Sequence, residues 1–123
     1  MRILVVDDDP TVLKSCQRVL EPEGFDVYLA PSADKALEAM RNDAFALLLV
    51  DIKMPKRDGI YLMSEIKKEW PDIPIIAMSG YDTEQTVQQA VETGAASFIA
   101  KPFTPTELLN AIQKVMEMPG GHN

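Results

Sequence analysis

The segment Ile3-Leu4-Val5-Val6-Asp7-Asp8-Asp9-Pro10 contains the first structural unit of this 123-residue chain. Four consecutive apolar residues are typical of a strand that is buried on both faces of a sheet. Asp9 and Pro10 then predict a helix start, because aspartate is a favoured N-cap and proline suits the first helical position. Helical spacing follows in the apolar residues Val12, Leu13, Cys16, Val19 and Leu20. The segment therefore predicts a buried strand followed directly by an amphipathic helix.

This strand-then-helix pattern repeats along the rest of the chain. Short apolar runs predict five strands, at Ile3–Val6, Phe25–Ala30, Ala46–Val50, Ile73–Met78 and Ser97–Ala100. Helical patterns predict four further helices, at Ser32–Met40, about Ile60–Trp70, Thr83–Thr93, and after the capping box Thr104-Pro105-Thr106-Glu107. Such alternation favours a parallel sheet with right-handed crossovers and helices on both faces, which is a doubly wound α/β fold. The functional site of such a fold lies at the carboxyl ends of its strands.

Length and composition restrict the class of protein. With 123 residues, of which 46% are hydrophobic and 25% charged, the chain fits one globular domain. Its formal charge of −7 opposes nonspecific binding to DNA phosphates or to anionic lipid. No apolar run approaches the roughly 20 residues of a membrane span. Because Met1 and Arg2 lead straight into the first strand, without a secretion signal, we expect a cytoplasmic protein.

The single cysteine and the single histidine exclude several kinds of chemistry. Cys16 lies on the apolar face of the first predicted helix and is predicted to be a core residue, and alone it cannot form an internal disulfide. His122 lies within Pro119–Asn123, which is typical of a flexible end. Ser-His-Asp catalysis, Cys-His catalysis and zinc binding are therefore excluded. The six glycines also form neither of the common phosphate-binding loops.

Polar residues follow the predicted strands at the edge where a site would lie. Asp7 and Asp8 come after the first strand, Asp51 after the third, Ser79 after the fourth and Lys101 after the fifth. Carboxylates brought together there would repel one another, and oxygen ligands without histidine or cysteine favour Mg²⁺, with Mn²⁺ as a substitute. A carboxylate beside a metal, an ammonium and a hydroxyl predicts phosphoryl transfer to that carboxylate.

These residues resemble the receiver domain of two-component response regulators. The resemblance covers residues 2–118 and rests on motifs in matching order: Ile3-Leu4-Val5-Val6-Asp7-Asp8, Leu49-Val50-Asp51-Ile52-Lys53-Met54-Pro55 with Asp58-Gly59, Met78-Ser79-Gly80, Gly94-Ala95 and Lys101-Pro102-Phe103. It implies a flavodoxin-like three-layer sandwich, a (βα)5 fold with strand order 2-1-3-4-5. Residues 1–118 would be the receiver domain, and residues 119–123 either a flexible tail or the start of a linker.

The resemblance assigns the phosphoryl chemistry to three side chains. Asp51 would accept a phosphoryl group from the phosphohistidine of a sensor histidine kinase or a histidine phosphotransfer protein. Ser79 would donate a hydrogen bond to that group, and Lys101 would pair with it. The Lys101–Pro102 peptide bond is typically cis in this family. The domain would then be a phosphoacceptor switch and not an enzyme, with phosphotransfer to itself and autodephosphorylation as its only reactions.

The metal ligands implied by the resemblance lie next to the acceptor. Asp8, Asp51 and the backbone carbonyl of Lys53 would bind Mg²⁺ directly, and Asp7 would bind it through water. Lys53 also shares with Tyr81 a second implied role, because both occupy positions that tune the lifetime of the phosphate. We predict that the two side chains slow the attack of water; two solvated side chains without effect are the alternative.

The resemblance also predicts a conformational switch. Phe98 aligns with an aromatic residue that turns inward when Ser79 moves toward the phosphate, although a plain core role for Phe98 is equally compatible with the sequence. The fourth predicted helix has a narrow apolar stripe of Val87, Ala90 and Val91 and is expected to be mobile. The surface of the fourth helix, fifth strand and fifth helix would control an unidentified output partner or domain, and would support a homodimer on phosphorylation.

A second class of phosphoryl-transfer protein fits some of the same residues. The run Asp7-Asp8-Asp9-Pro10-Thr11 resembles the opening D-x-D-x-T motif of haloacid-dehalogenase-type phosphatases, in which Asp7 would be the nucleophile and Asp9 the general acid. That class also needs an acidic pair after Lys101, and only two glutamates of the last helix follow it. The phosphatase interpretation leaves the motif around Asp51 unexplained, so the receiver interpretation is favoured.

Overall fold

The computed structural model describes residues 1–80 and 83–117. Strands and helices alternate in the order β1 Arg2–Val6, α1 Pro10–Leu20, β2 Asp26–Ala30, α2 Ala33–Asn42, β3 Leu47–Asp51, α3 Gly59–Glu69, β4 Ile75–Ser79, α4 Glu84–Thr93, β5 Ser97–Ala100 and α5 Pro105–Met116. The strands form one parallel sheet in the order β2-β1-β3-β4-β5. The predicted doubly wound α/β fold and its strand order are therefore confirmed.

The ends of some elements differ from the sequence prediction. β3 and β4 include Asp51 and Ser79 as their last residues, whereas the apolar runs predict strands that stop just before them. β4 begins at Ile75 and not at Ile73, because Pro74 between them has no N–H to donate to a neighbouring strand. A short 3-10 turn at Glu21–Glu23, which the sequence pattern did not predict, joins α1 to the chain before β2.

Side-chain caps begin the helices that flank the functional edge. Asp9 accepts a hydrogen bond from the Thr11 N–H at 2.9 Å at the start of α1. At the start of α5, Thr104 and Glu107 form the predicted capping box with reciprocal bonds of 3.1 and 3.0 Å. Both predicted helix starts are therefore confirmed. Such caps stabilise a helix because they satisfy amide groups that the first turn leaves without partners.

The core lies in two layers on opposite faces of the sheet. In β1, Leu4 and Val6 pack with the α2 and α3 side, whereas Ile3 and Val5 pack with the α1 and α5 side. This period of two is that of a strand whose successive side chains point to opposite faces. Cys16 is fully buried in the second layer, as predicted, and burial raises the pKa of its thiol to about 11.

The helix α4 is the least buried helix of the described chain. Ala90 is its one buried residue, and Val91 is 58% exposed. This agrees with the narrow apolar stripe read from the sequence, while the mobility of α4 stays a prediction. In the described residues, no helix has the length and apolar content that crossing a bilayer requires.

Candidate functional site

Three carboxylates meet at the carboxyl ends of β1 and β3. One oxygen atom from each of Asp7, Asp8 and Asp51 lies within 4.8 Å of the others. Asp7 is fully buried, Asp51 is 4% exposed and Asp8 is exposed. The structure thus brings together the acidic residues that the strand-end pattern placed at one rim, with two of them inside the protein and one open to solvent.

A single ammonium group lies between the two buried carboxylates. Lys101 Nζ is 2.5 Å from Asp7 Oδ2 and 3.3 Å from Asp51 Oδ2, and its side chain is 19% exposed. The Lys101–Pro102 peptide bond is cis, as the resemblance implied. The backbone N–H of Lys101 donates to the carbonyl of Ser79 at 2.8 Å, which ties the end of β5 to the end of β4.

Each buried carboxylate is held on its other oxygen by a backbone amide two residues further along. Asp7 Oδ1 accepts from the N–H of Asp9 at 2.9 Å, and Asp51 Oδ1 accepts from the N–H of Lys53 at 3.2 Å. The remaining oxygen of each carboxylate contacts Lys101. The bond from the Asp9 amide to Asp7 was not predicted from the sequence, in which Asp9 was assigned as a helix cap or, in the phosphatase alternative, as a general acid. The signal was available, since aspartate commonly accepts a bond from the amide two residues on.

The surroundings of Asp51 and Lys101 raise the pKa of both side chains. Burial, and then the charge of Asp7, raise the pKa of Asp51 to about 6, although Lys101 opposes this shift. Burial lowers the pKa of Lys101, but its contacts with Asp7 and Asp51 outweigh that effect and the pKa is raised overall. Lys101 contacts two of the three clustered carboxylates, and a divalent cation would offset the negative charge of the cluster.

The other predicted site residues range from buried to exposed, and some lie outside the described residues. Ser79 is fully buried at the end of β4, and Phe98 is partly buried in β5 against the core on the α2 and α3 side. The side chain of Lys53 is exposed, while its backbone N–H holds Asp51. Tyr81 lies outside the described residues, as do His122 and the predicted tail 119–123.

Comparisons with known proteins identify the relatives of this chain. The model of the response regulator receiver domain family matches residues 3–113. The transcriptional regulatory protein ZraR of Escherichia coli K12 is 38% identical over 114 residues, which are 93% of this chain and 26% of that protein. A 14.6 kDa protein from the sodA1 3′ region of Leptolyngbya boryana is 35% identical over 116 residues, 93% of this chain and 88% of the other.

A solved structure shows the same fold at similar identity. The receiver domain of NtrX from Brucella abortus is 35% identical, covers 94% of this chain and 98% of its own, and superposes with a TM-score of 0.89. The chain spans about a quarter of the length of curated relatives such as ZraR.

Proposed function

Because the chain belongs to the response regulator receiver domain family, whose general function is a phosphorylation switch, we propose that Asp51 is its phosphoryl acceptor. The donor is the phosphohistidine of a sensor histidine kinase or a histidine phosphotransfer protein. The observation that supports this assignment most strongly is the position of Asp51 at the end of β3. There its carboxylate contacts the Lys101 ammonium and lies beside two further carboxylates.

The transfer is an in-line displacement at phosphorus. A carboxylate oxygen of Asp51 forms the new O–P bond while the bond from phosphorus to the donor imidazole nitrogen breaks, and the imidazole leaves with that electron pair. Lys101, 3.3 Å from Asp51 Oδ2, pairs with the phosphoryl oxygens after transfer. Ser79, buried at the neighbouring strand end, donates a hydrogen bond from its hydroxyl to one of them.

The donor set fits a divalent metal ion. Three carboxylates that can each bring an oxygen within 4.8 Å of the others suit Mg²⁺, or Mn²⁺ in its place. In our proposal Asp8, Asp51 and the carbonyl of Lys53 would hold it directly, and Asp7 would do so through water. When bound, the ion supplies positive charge that offsets the negative charge of the phosphoryl oxygens.

Phosphorylation by acetyl phosphate tests this function without knowledge of the kinase. We expect the purified protein to gain one phosphoryl group in the presence of Mg²⁺, with the modified peptide mapped by mass spectrometry to Asp51. Chelation of the metal should lower the rate by at least about 100-fold, because the excess negative charge of the site then repels the donor. Modification of another residue, or an equal rate under chelation, would contradict the proposal.

The lifetime of the phosphoryl group gives a second test. We expect Lys53→Asn and Tyr81→Ala each to speed loss of the phosphoryl group, by roughly two- to tenfold, because smaller side chains screen phosphorus less from water. The measurement is the dephosphorylation rate after the donor is removed. Lys35→Asn is a matched control, since Lys35 is an exposed lysine on α2. Rates equal to that of the parent protein would refute a role for these two positions.

The output of the switch is assigned to the surface of α4, β5 and α5. Phosphorylation adds about −1.5 to −2 charges at the site, enough to bias two conformations that differ by a few kcal/mol. The shallow burial of α4, with Ala90 alone buried, makes that helix the natural element to shift. Movement of Ser79 toward the phosphate, with Phe98 turning inward, links the site to this surface. A homodimer through the same surface on phosphorylation is part of the proposal.

The remaining proposals concern the wider protein. We propose residues 1–118 as the receiver domain and residues 119–123 as a tail or the start of a linker. The domain works as a phosphoacceptor in the cytoplasm, without a separate enzymatic reaction and without contact with a membrane. Its charge of −7 argues against direct nucleic-acid binding by this domain.

A further inference from the structure

The first residue of α3 lies against the backbone of the acceptor. A Cβ atom built on Gly59 would be 2.2 Å from the carbonyl oxygen of Asp51, 2.7 Å from Cα of Ile52 and 2.9 Å from the carbonyl carbon of Asp51. All three neighbours are main-chain atoms, which cannot rotate away as the end of a side chain can. The absence of a side chain at Gly59 is therefore a condition for this close approach.

Hydrogen bonds hold Ile52 through both of its peptide groups, the one shared with Asp51 and the one shared with Lys53. The N–H of Ile52 donates to the carbonyl of Met78 in β4, and the N–H of Gly59 donates to the carbonyl of Ile52, both at 2.9 Å. The first turn of α3 is itself held by its cap, because Asp58 Oδ1 accepts from the N–H of Tyr61 at 2.9 Å. The end of β3 is thus fixed between β4 and the start of α3.

We propose that Gly59 is a positioning residue for the acceptor Asp51. The backbone of Gly59 packs against the Asp51–Ile52 peptide. This contact sets how far the Asp51 carboxylate extends toward Lys101. This inference rests on the proposed function, because it concerns the same carboxylate. It adds a residue whose contribution comes from its main chain and from the absence of a side chain.

The contacts of the carboxylate make its position sensitive to a backbone shift. Its distances to Lys101 Nζ and to the Lys53 N–H are 3.3 and 3.2 Å, near the long end of the hydrogen-bonding range. A methyl group at Gly59 would move the Asp51 carbonyl by roughly 1 Å to reach ordinary van der Waals separation. Both polar contacts would then change, and a misplacement of this size can slow a positioned reaction about 100-fold.

The first experiment compares Gly59→Ala with Leu62→Ala in the phosphorylation reaction with acetyl phosphate. Leu62 is a fully buried residue of the same helix, and its truncation leaves a cavity in the core without adding bulk behind Asp51. For Gly59→Ala we expect the maximal rate constant of folded protein to fall about 10- to 100-fold, with little change in the acetyl phosphate concentration that gives half of that rate. For Leu62→Ala we expect a maximal rate within about twofold of the parent protein.

A second pair of variants tests the positioning role of Gly59 if the Gly59→Ala variant does not fold. Asp58→Ala removes the cap that holds the first turn of α3, and Ser32→Ala removes the equivalent cap of α2, at similar expected cost. We expect the maximal rate to fall about three- to tenfold for Asp58→Ala and to stay within about twofold for Ser32→Ala.

Phosphorylation of the parent protein at Asp51 separates this inference from the proposed function. One outcome would be that the parent protein is modified at Asp51, while Asp58→Ala and every folded Gly59→Ala sample keep the maximal rate of the parent protein. The positioning role of Gly59 would then be wrong, and the proposed function would stand. Equal losses in Leu62→Ala and Gly59→Ala, or in Ser32→Ala and Asp58→Ala, would likewise overturn it, because they would show a general effect of stability.

Discussion

Asp51→Asn is expected to abolish phosphorylation by acetyl phosphate, with a loss of about 10³-fold or more in rate, as for removal of other catalytic nucleophiles. Asparagine keeps the shape of the side chain but has no carboxylate oxygen to form the bond to phosphorus. Intact mass after incubation with acetyl phosphate and Mg²⁺ measures the effect. Thermal unfolding checks that the variant is folded, which we expect because it removes one of two carboxylates that share Lys101.

The same variant separates the receiver from the phosphatase interpretation when it is paired with Asp7→Asn. In a haloacid-dehalogenase-type phosphatase, Asp7 would be the nucleophile, so Asp7→Asn would stop turnover and Asp51→Asn would leave most of it. In a receiver, Asp7→Asn weakens the cation site, and Asp51 is still modified at higher Mg²⁺ concentration. Steady hydrolysis of a phosphate ester by Asp51→Asn, lost in Asp7→Asn, would therefore refute our assignment of the acceptor.

Lys101→Met is expected to lower the free energy of unfolding by about 2–3 kcal/mol in metal-free buffer at neutral pH. Methionine keeps an unbranched apolar side chain but removes the ammonium, which leaves the fully buried Asp7 beside Asp51 without its cation. Breaking a fully buried ion pair costs roughly 3–5 kcal/mol, and the 19% exposure of Lys101 reduces that cost. Urea denaturation in the presence of a chelator measures the change.

Two comparisons make the test specific to the buried charge. Lys35→Met changes an exposed lysine and should shift the stability by no more than about 0.5 kcal/mol. The double variant Asp7→Asn with Lys101→Met should recover much of the loss, because the uncompensated carboxylate is then removed. A loss in Lys101→Met as small as that of the control, or no recovery in the double variant, would contradict this account of the site.

Added Mg²⁺ should stabilise Lys101→Met more than it stabilises the parent protein. A ligand that binds only the folded state raises the unfolding free energy in proportion to the logarithm of its concentration over the dissociation constant. Without the ammonium, more of the negative charge of the three carboxylates is left to attract the cation, so binding should tighten. Equal stabilisation of both proteins would show that the charge of Lys101 does not affect the bound cation, and no stabilisation of either would argue against a cation site at this cluster.

Local sequence signals account for most of the fold. The caps at Asp9 and Thr104, with proline one residue later, place the starts of α1 and α5 without reference to the rest of the chain. Apolar runs indicate the strands because only buried strands tolerate apolar side chains on both faces. The start of β4 was predicted two residues too early, at Ile73, because Pro74 has no amide to donate and pairing with β3 begins at Ile75. Which residues pair depends on the neighbouring strand.

In the candidate site, too, the sequence predicted some features and missed others. The residue types and their places after the strands identified Asp7, Asp8, Asp51, Ser79 and Lys101 as one group, because the carboxyl ends of parallel strands meet at one edge. The amides that hold Asp7 and Asp51 come from only two residues away, yet they were missed, since that bond requires a turn whose shape the surrounding packing selects.

Local patterns in the amino-acid sequence are enough to predict the order of strands and helices, the family resemblance and the set of polar residues at one edge. The tertiary structure is needed to place Lys101 between Asp7 and Asp51, because 94 positions separate Lys101 from Asp7. It also decided that Gly59 touches the Asp51 backbone. Distances of this kind follow from strand register and from the seating of α3 on the sheet. Those depend on the packing of side chains far apart in the chain, which no local pattern encodes.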